Sequence, residues 1–168
     1  MGLAAETLRA PTITLEPLTV EHAEAMALVL ADPALYAVTG GEPPTIEELR
    51  ARYARQVRGR SPDGREGWLN WIVIDALSGQ PAGYLQVTIR SDDGHDEAEL
   101  AWVIGTRWQG RGFATEAARA VVDWLARQGI STLIAHVRPR HRPSERVAES
   151  VGLLPSPTVV DGEIRWMT

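Results

Sequence analysis

The chain contains no cysteine. That excludes disulfides, thiolate metal sites and a cysteine nucleophile, and it fits a reducing, cytoplasmic setting. No apolar run approaches the roughly 18 residues of a membrane span; the longest candidates are broken by charges or glycine. The opening residues (M-G-L-A-A-E-T-L-R-A) lack the apolar core of a signal peptide. No pair of residues shows metal-ligand spacing, so no metal is expected. A net charge of −5 argues against nucleic acid as the main partner. What remains is a chain of 168 residues, 44% hydrophobic and 23% charged. That is the balance of one globular domain able to bury a core without staples, as a monomer or homodimer.

Charge is unevenly placed. Eight arginines fall between Arg107 and Arg146, whereas Asp92 to Glu99 (D-D-G-H-D-E-A-E) is acidic. The pattern suits an anionic cofactor meeting a cationic substrate, or simply a solvated surface.

Thr12 to Pro17 alternates and predicts a first strand. A helix is expected over Thr19 to Ala31, stopped or redirected by Pro33. Thr45 begins a capping-box pattern, so a second helix is expected from Ile46 to Arg58. Gly59 to Gly67 is polar and predicts a loop. Trp68 to Asp75 and Ala82 to Arg90 predict an antiparallel hairpin across Ser78-Gly79-Gln80-Pro81. Asp92 to Asp96 is an acidic turn, and Glu97 to Ile104 is a third β segment. A long helix follows from Phe113 to Gln128, with an apolar stripe through Ala114, Ala117, Ala118, Val121, Val122 and Leu125. Thr132 to Val137 is a strand, Pro143 to Ser150 a short helix, and Asp161-Gly162 a hairpin turn between two short strands from Thr158 to Met167. The order is β-α-α-β-β-β-α-β-α-β-β, an α/β domain with a mixed sheet.

The segment Gln109 to Thr115 (Q-G-R-G-F-A-T) carries the chemistry. Gly110 and Gly112 precede a helix, where glycine lets backbone approach a ligand or adopt positive φ. The first helical turn offers unpaired N–H groups and the positive end of the dipole, together an anion site. Arg111 adds charge at the rim. The glycines alone are equally those of a tight strand-to-helix turn. A phosphate loop of the G-x-x-x-x-G-K-[ST] type is excluded by its missing lysine. A dinucleotide fingerprint fails at Thr115 and lacks its downstream acid.

V-I-G-T-R-W-Q-G-R-G-F-A-T-E-A resembles the central motif [Q/R]-x-x-G-x-[G/A] of the GNAT superfamily of N-acetyltransferases, matched here by Gln109, Gly112 and Ala114. His141 to Leu153 (H-R-P-S-E-R-V-A-E-S-V-G-L) is similar to that family's N-x-x-S-x-x-V-x-E-x-x-G-F. The order of elements agrees over nearly the whole chain, and the two ends resemble the branch that includes ribosomal-protein N-terminal acetyltransferases. The resemblance implies a mostly antiparallel sheet with flanking helices and a V-shaped cleft for acetyl-CoA. Backbone groups of Trp102, Val103 and Ile104 would pair with the pantetheine arm. Amides of Gly110, Arg111, Gly112, Phe113, Ala114 and Thr115 would hold the pyrophosphate. His141 stands where the family has a cofactor-touching Asn.

It also implies direct acetyl transfer from acetyl-CoA to a primary amine, on a small molecule or a peptide N-terminus. An ammonium must lose a proton before it attacks, and the leaving thiolate needs a proton or stabilisation. Glu99, with Glu97 as rival, and His136 are the candidate bases; imidazole is suited to base work near neutrality. Many relatives place a Tyr acid where this chain has Ala148. Ser144 is the nearest substitute, and its spacing equally fits a helix N-cap. Trp68, Asn70, Trp71 and the Glu42 to Tyr53 region are expected near the acceptor. The alternative is a non-catalytic acyl-CoA-binding or regulatory domain on the same fold.

Overall fold

A computed structural model describes residues 2–168. Eight strands form one sheet: β1 (Leu8–Arg9), β2 (Ile13–Pro17), β3 (Glu66–Asp75), β4 (Pro81–Asp92), β5 (His95–Ile104), β6 (Thr132–Val137), β7 (Leu154–Val160) and β8 (Glu163–Met167). Their spatial order is β1-β2-β3-β4-β5-β6-β8-β7. Every neighbouring pair is antiparallel except β5 and β6. Four helices flank the sheet: α1 (Ala23–Val29), α2 (Ile46–Gln56), α3 (Phe113–Arg127) and α4 (Arg142–Ser150).

Strand alternation sorts the side chains into two layers. One face carries Leu69, Trp71, Val73, Leu85, Val87, Leu100, Leu133 and Ala135, buried with Phe113, Ala117, Val121 and Leu125 of α3 and Val147 and Ala148 of α4. The other face carries Ile72 and Tyr84, packed with Met26 of α1 and Leu49 and Tyr53 of α2. The helical stripe of α3 is as the spacing requires, although Ala114 and Val122 remain half-buried at its edges.

Several boundaries differ from the sequence expectations. The helix expected over Thr19 to Ala31 is a 3₁₀ turn, Val20–His22, running into a shorter α1 that ends at Val29. His22 explains the start, because its Nδ1 accepts from the Thr19 backbone N–H and completes a capping box. Pro33 opens a second 3₁₀ turn, capped by Asp32 accepting from the Ala34 N–H at 2.9 Å. The acidic turn shrinks to Asp93-Gly94, both at positive φ, and Asp92 and His95 lie opposite one another in the strands. β1, too short to carry a periodic signal, and the early start of β3 at Glu66 were not anticipated.

The parallel pair positions the site. β5 and β6 are in register only from Glu97↔Thr132 to Leu100↔Ala135. Beyond that they part, leaving Ala101 to Ile104 and His136 to Val137 as the two arms of a V. Gly83 of β4 shows why. A Cβ there would lie 2.2 Å from the Val103 carbonyl oxygen and 2.9 Å from Ile104 Cα. The end of β5 therefore presses against β4, away from β6, and only glycine admits that approach. Among the described residues no helix is long and apolar enough to cross a membrane.

Candidate active site

The loop between β5 and α3 forms one side of the V. Gly110 and Gly112 both have φ of +79°, and Gly112 is the N-cap of α3. Nothing lies within 4 Å of where a Cβ would be on either glycine, so the loop's outer surface is open. The early amides of α3 thus follow a loop whose glycines leave the approach to them unobstructed by side chains of their own. Arg107 and Arg111 stack over the buried Trp108 ring at 4.9 and 5.1 Å, which holds two guanidinium groups at the rim. Trp108 in turn stacks on Phe113 at 6.2 Å. The Phe113 side chain is therefore core, and only its backbone is available at the loop.

Gln109 has a role the motif did not reveal. Its Nε2 donates to the Ile104 carbonyl at 2.9 Å, tying the loop to the end of β5. Of the expected pantetheine partners, the Ile104 carbonyl is thereby already engaged. Glu116, one turn into α3, accepts from the Thr12 N–H at 2.6 Å and the Thr12 hydroxyl at 2.5 Å, which locks α3 onto the strand layer.

Two candidate bases meet. Glu99 of β5 and His136 of β6 share a face, and Glu99 Oε1 lies 2.8 Å from His136 Nδ1. Glu99 Oε2 accepts from Arg90 Nη1 at 2.7 Å. Arg90 Nε donates to Glu66 at 2.9 Å, and Glu66 Oε2 accepts from the Trp68 indole at 3.0 Å. One polar chain thus crosses β6, β5, β4 and β3. Burial pushes the Glu99 carboxyl up, but the hydrogen bonds and charges of Arg90 and His136 outweigh it and hold it below the ordinary carboxylate value. The Arg90 guanidinium is raised, first by its bond to Glu99.

The contact with Glu99 favours one tautomer of the neutral His136 ring. A carboxylate only accepts, so Nδ1 of His136 carries the hydrogen, and in the neutral ring the lone pair is on Nε2. Arg90 and Glu66 were not singled out from sequence. Their pairing depends on the cross-strand register Glu66↔Arg90↔Glu97, which no local pattern encodes.

The other sequence candidates fall elsewhere. Glu97 is bound to Arg165 of β8 at 2.6 Å and does not contact His136. Ser144 is not the N-cap of α4. That position is His141, and Ser144 lies in the first turn, half-buried. Ala148 is fully buried against the core, because α4 turns that position toward the sheet. Trp71 lies along β3 between Asn70 and Ile72 but turns its ring away from the groove. Its ring lies in the opposite layer, edge-on to Trp124 at 5.6 Å, with the indole N–H on the Glu6 carbonyl. Trp68 and Asn70 do face an open groove of about 1420 Å³, which Glu66 and Arg90 also line. Among the described residues no group of three His, Asp or Glu is placed to hold a metal ion.

Comparison with known proteins agrees with this geometry. The family model described as an acetyltransferase (GNAT) domain matches residues 12–154. YkkB of Bacillus subtilis (strain 168) is 29% identical over 90 residues, 53% of this chain and 52% of YkkB; the chain thus spans about half the length of that curated relative. The crystal structure of an acetyltransferase from Agrobacterium tumefaciens str. C58 is 26% identical, with a TM-score of 0.72 over 100% of this chain and 96% of that one. RimL, a ribosomal-protein acetyltransferase solved in complex with coenzyme A, has the same fold, with a TM-score of 0.75 over 97% of each chain at 14% identity. A match over most of the chain, on a sheet that parts at β5 and β6 beside a glycine-capped helix, places this protein in the GNAT acetyltransferase family.

Proposed function

We propose that this chain transfers an acetyl group from acetyl-CoA to a primary amine, on a small molecule or a peptide N-terminus, with His136 as general base. The observation that carries the reading is the 2.8 Å contact between His136 Nδ1 and Glu99. It leaves Nε2 free to take a proton and places a carboxylate to steady the imidazolium that forms.

The donor side fits acetyl-CoA. The open loop at Gly110 to Thr115, with Arg107 and Arg111 at its rim, suits the pyrophosphate. The free edges of Trp102 and Val103 suit the pantetheine amides, and His141 lies at the start of α4 on the opposite side. When bound, acetyl-CoA supplies the thioester carbonyl that the amine attacks. Glu99 is a poor base in its own right, because both its oxygens are engaged and its carboxyl is held below the ordinary range. Its part is to orient His136, and Arg90 fixes Glu99 in turn. Ser144, in the first turn of α4, is the candidate donor of the proton that the leaving thiolate takes up. Without cysteine no acetyl-cysteine intermediate can form, and the reading takes transfer as direct from donor to acceptor in a ternary complex.

The reading is tested by incubating the full chain with acetyl-CoA and a panel of amines and peptides, following thiol release. The protein has no cysteine, and its seventeen basic residues are all arginine, so neither thiol background nor side-chain self-acetylation interferes. Thiol release that depends on an amine is the expected result. Binding of acetyl-CoA without acylation of any acceptor would favour a binding or regulatory domain instead.

A further inference from the structure

The layer between α2 and the sheet holds a group of polar side chains that the reaction chemistry above does not use. Arg52, Tyr53 and Gln56 of α2 converge with Asn70 of β3 and Tyr84 and Gln86 of β4 on a small niche. Its volume is about 10 Å³, room for a single water. The niche adjoins the large groove, since Leu18, Gln56 and Asn70 line both.

These groups are unsatisfied. Tyr53 is only 4% exposed, yet its hydroxyl has no hydrogen-bond partner, and neither has the buried Gln56 Oε1. Buried polar atoms are paired in the great majority of cases, so two orphans in one niche call for an explanation. Burial first, then the charge of neighbouring phenols, pushes the Tyr53 hydroxyl up to about 12, so it stays a donor. Arg52 forms no ion pair among the described residues, and no acid lines the niche. Its positive charge is nonetheless close enough to lower the Tyr36, Tyr53 and Tyr84 phenols against their burial. A half-buried guanidinium with no counter-ion, beside an orphaned hydroxyl donor, is an arrangement that awaits an anion.

Its position relates it to the reaction. Gln86 lies opposite Ala101, and Thr88 opposite Glu99, on the same face as the Glu99–His136 pair. Gln86 at the niche is two residues, about 7 Å, along β4 from Thr88, and Glu99 lies one strand spacing, about 5 Å, across from Thr88. Resting on the acyltransferase reading, we infer that the acceptor is a zwitterion: an amine that also carries an acid group, with the amine at His136 and the acid held by Arg52 and Tyr53. One acid oxygen takes the water-sized space beside Tyr53, and the rest of the group stays at the mouth with the half-buried Arg52.

The test is calorimetric titration of the CoA-loaded full chain with amines matched except for the acid: γ-aminobutyrate against butylamine, and glycylglycine against glycylglycinamide. The acid-bearing member should bind about ten- to a hundredfold more tightly, the range of a charged hydrogen-bonded contact. Arg52→Gln should abolish that preference and Arg52→Lys should keep part of it. Tyr53→Phe should weaken the acids while leaving the thermal midpoint unchanged or higher, because it removes a buried hydroxyl that has no partner. Equal affinity within each pair, affinity unaltered in Arg52→Gln, or no binding of either member would overturn the proposal and leave the niche as a water site. The two readings fail separately. Thiol release with neutral amines as fast as with acids sinks the zwitterion and keeps the acyltransferase. Arg52-dependent binding of acids with no thiol release from any amine sinks the acyltransferase and keeps the niche.

Discussion

His136 Nδ1 lies 2.8 Å from Glu99 Oε1, and Arg90 holds the other Glu99 oxygen at 2.7 Å. The two residues that sequence offers as competing bases are therefore one unit. Replacing His136 by Ala should lower kcat by about 10²- to 10⁴-fold, the usual contribution of a positioned base. Acetyl-CoA affinity, measured by calorimetry, should hold. The deficit should narrow as pH rises, because more of the amine is then already deprotonated. An undiminished rate in His136→Ala would dismiss it as the base.

Glu99 carries a linked pH dependence. Its folded-state value lies below the ordinary 4.5, so the unfolded chain takes up the proton first on acidification. The stability from Glu99 is full above pH 4.5 and is lost as pH falls through the lower folded value. Glu99→Gln has no such step. The gap in thermal midpoint between the native chain and Glu99→Gln should be widest above pH 4.5 and should close below it. A gap independent of pH would contradict the assignment.

Gly83 controls the opening of the V. A methyl group there meets the Val103 carbonyl oxygen at 2.2 Å, and backbone cannot rotate out of the way. Gly83→Ala should cost about 1–3 kcal/mol in denaturant unfolding, the usual range for overpacking. Because relief requires moving the β5 arm that lines the cleft, acetyl-CoA affinity should fall as well. Loss of stability with unchanged affinity would show that the approach at Gly83 does not set the cleft.

Ala148 stands where the family resemblance implies a tyrosine acid, and introducing that residue invites itself as a gain-of-function experiment. The structure predicts the reverse. Ala148 is 0% exposed and packs in the core shared by α3, α4 and the sheet. Ala148→Tyr should destabilise the fold by about 1–3 kcal/mol or more, with no increase in kcat. Ser144→Ala should instead leave stability within about 0.5 kcal/mol, because Ser144 is not the helix cap. A fall in its kcat at constant acetyl-CoA affinity would support its role as acid.

Local chemistry made much of this legible. Alternation and helical spacing gave the strands and helices from β2 to β8, because each buries one face and must repeat at the period of its backbone. The glycine pair before α3 was readable because positive φ at a helix N-cap demands glycine, and both residues adopt it. Helix and turn boundaries near His22, Pro33 and Asp93 were less so, since single side-chain contacts such as His22 with Thr19 decide them.

From its sequence alone the chain is determined as an α/β domain of the GNAT acetyltransferase family, with two glycines, Gly110 and Gly112, ahead of a long helix. Those properties reside in short stretches whose residues touch near neighbours. The tertiary structure decided which groups act together. Glu99 met His136 rather than Arg165, Glu97 was drawn off to β8, Trp71 went to the far layer, and Arg52 was left with orphaned partners beside it. Each outcome depends on cross-strand register and on which face a residue occupies, and a one-residue slip would invert it.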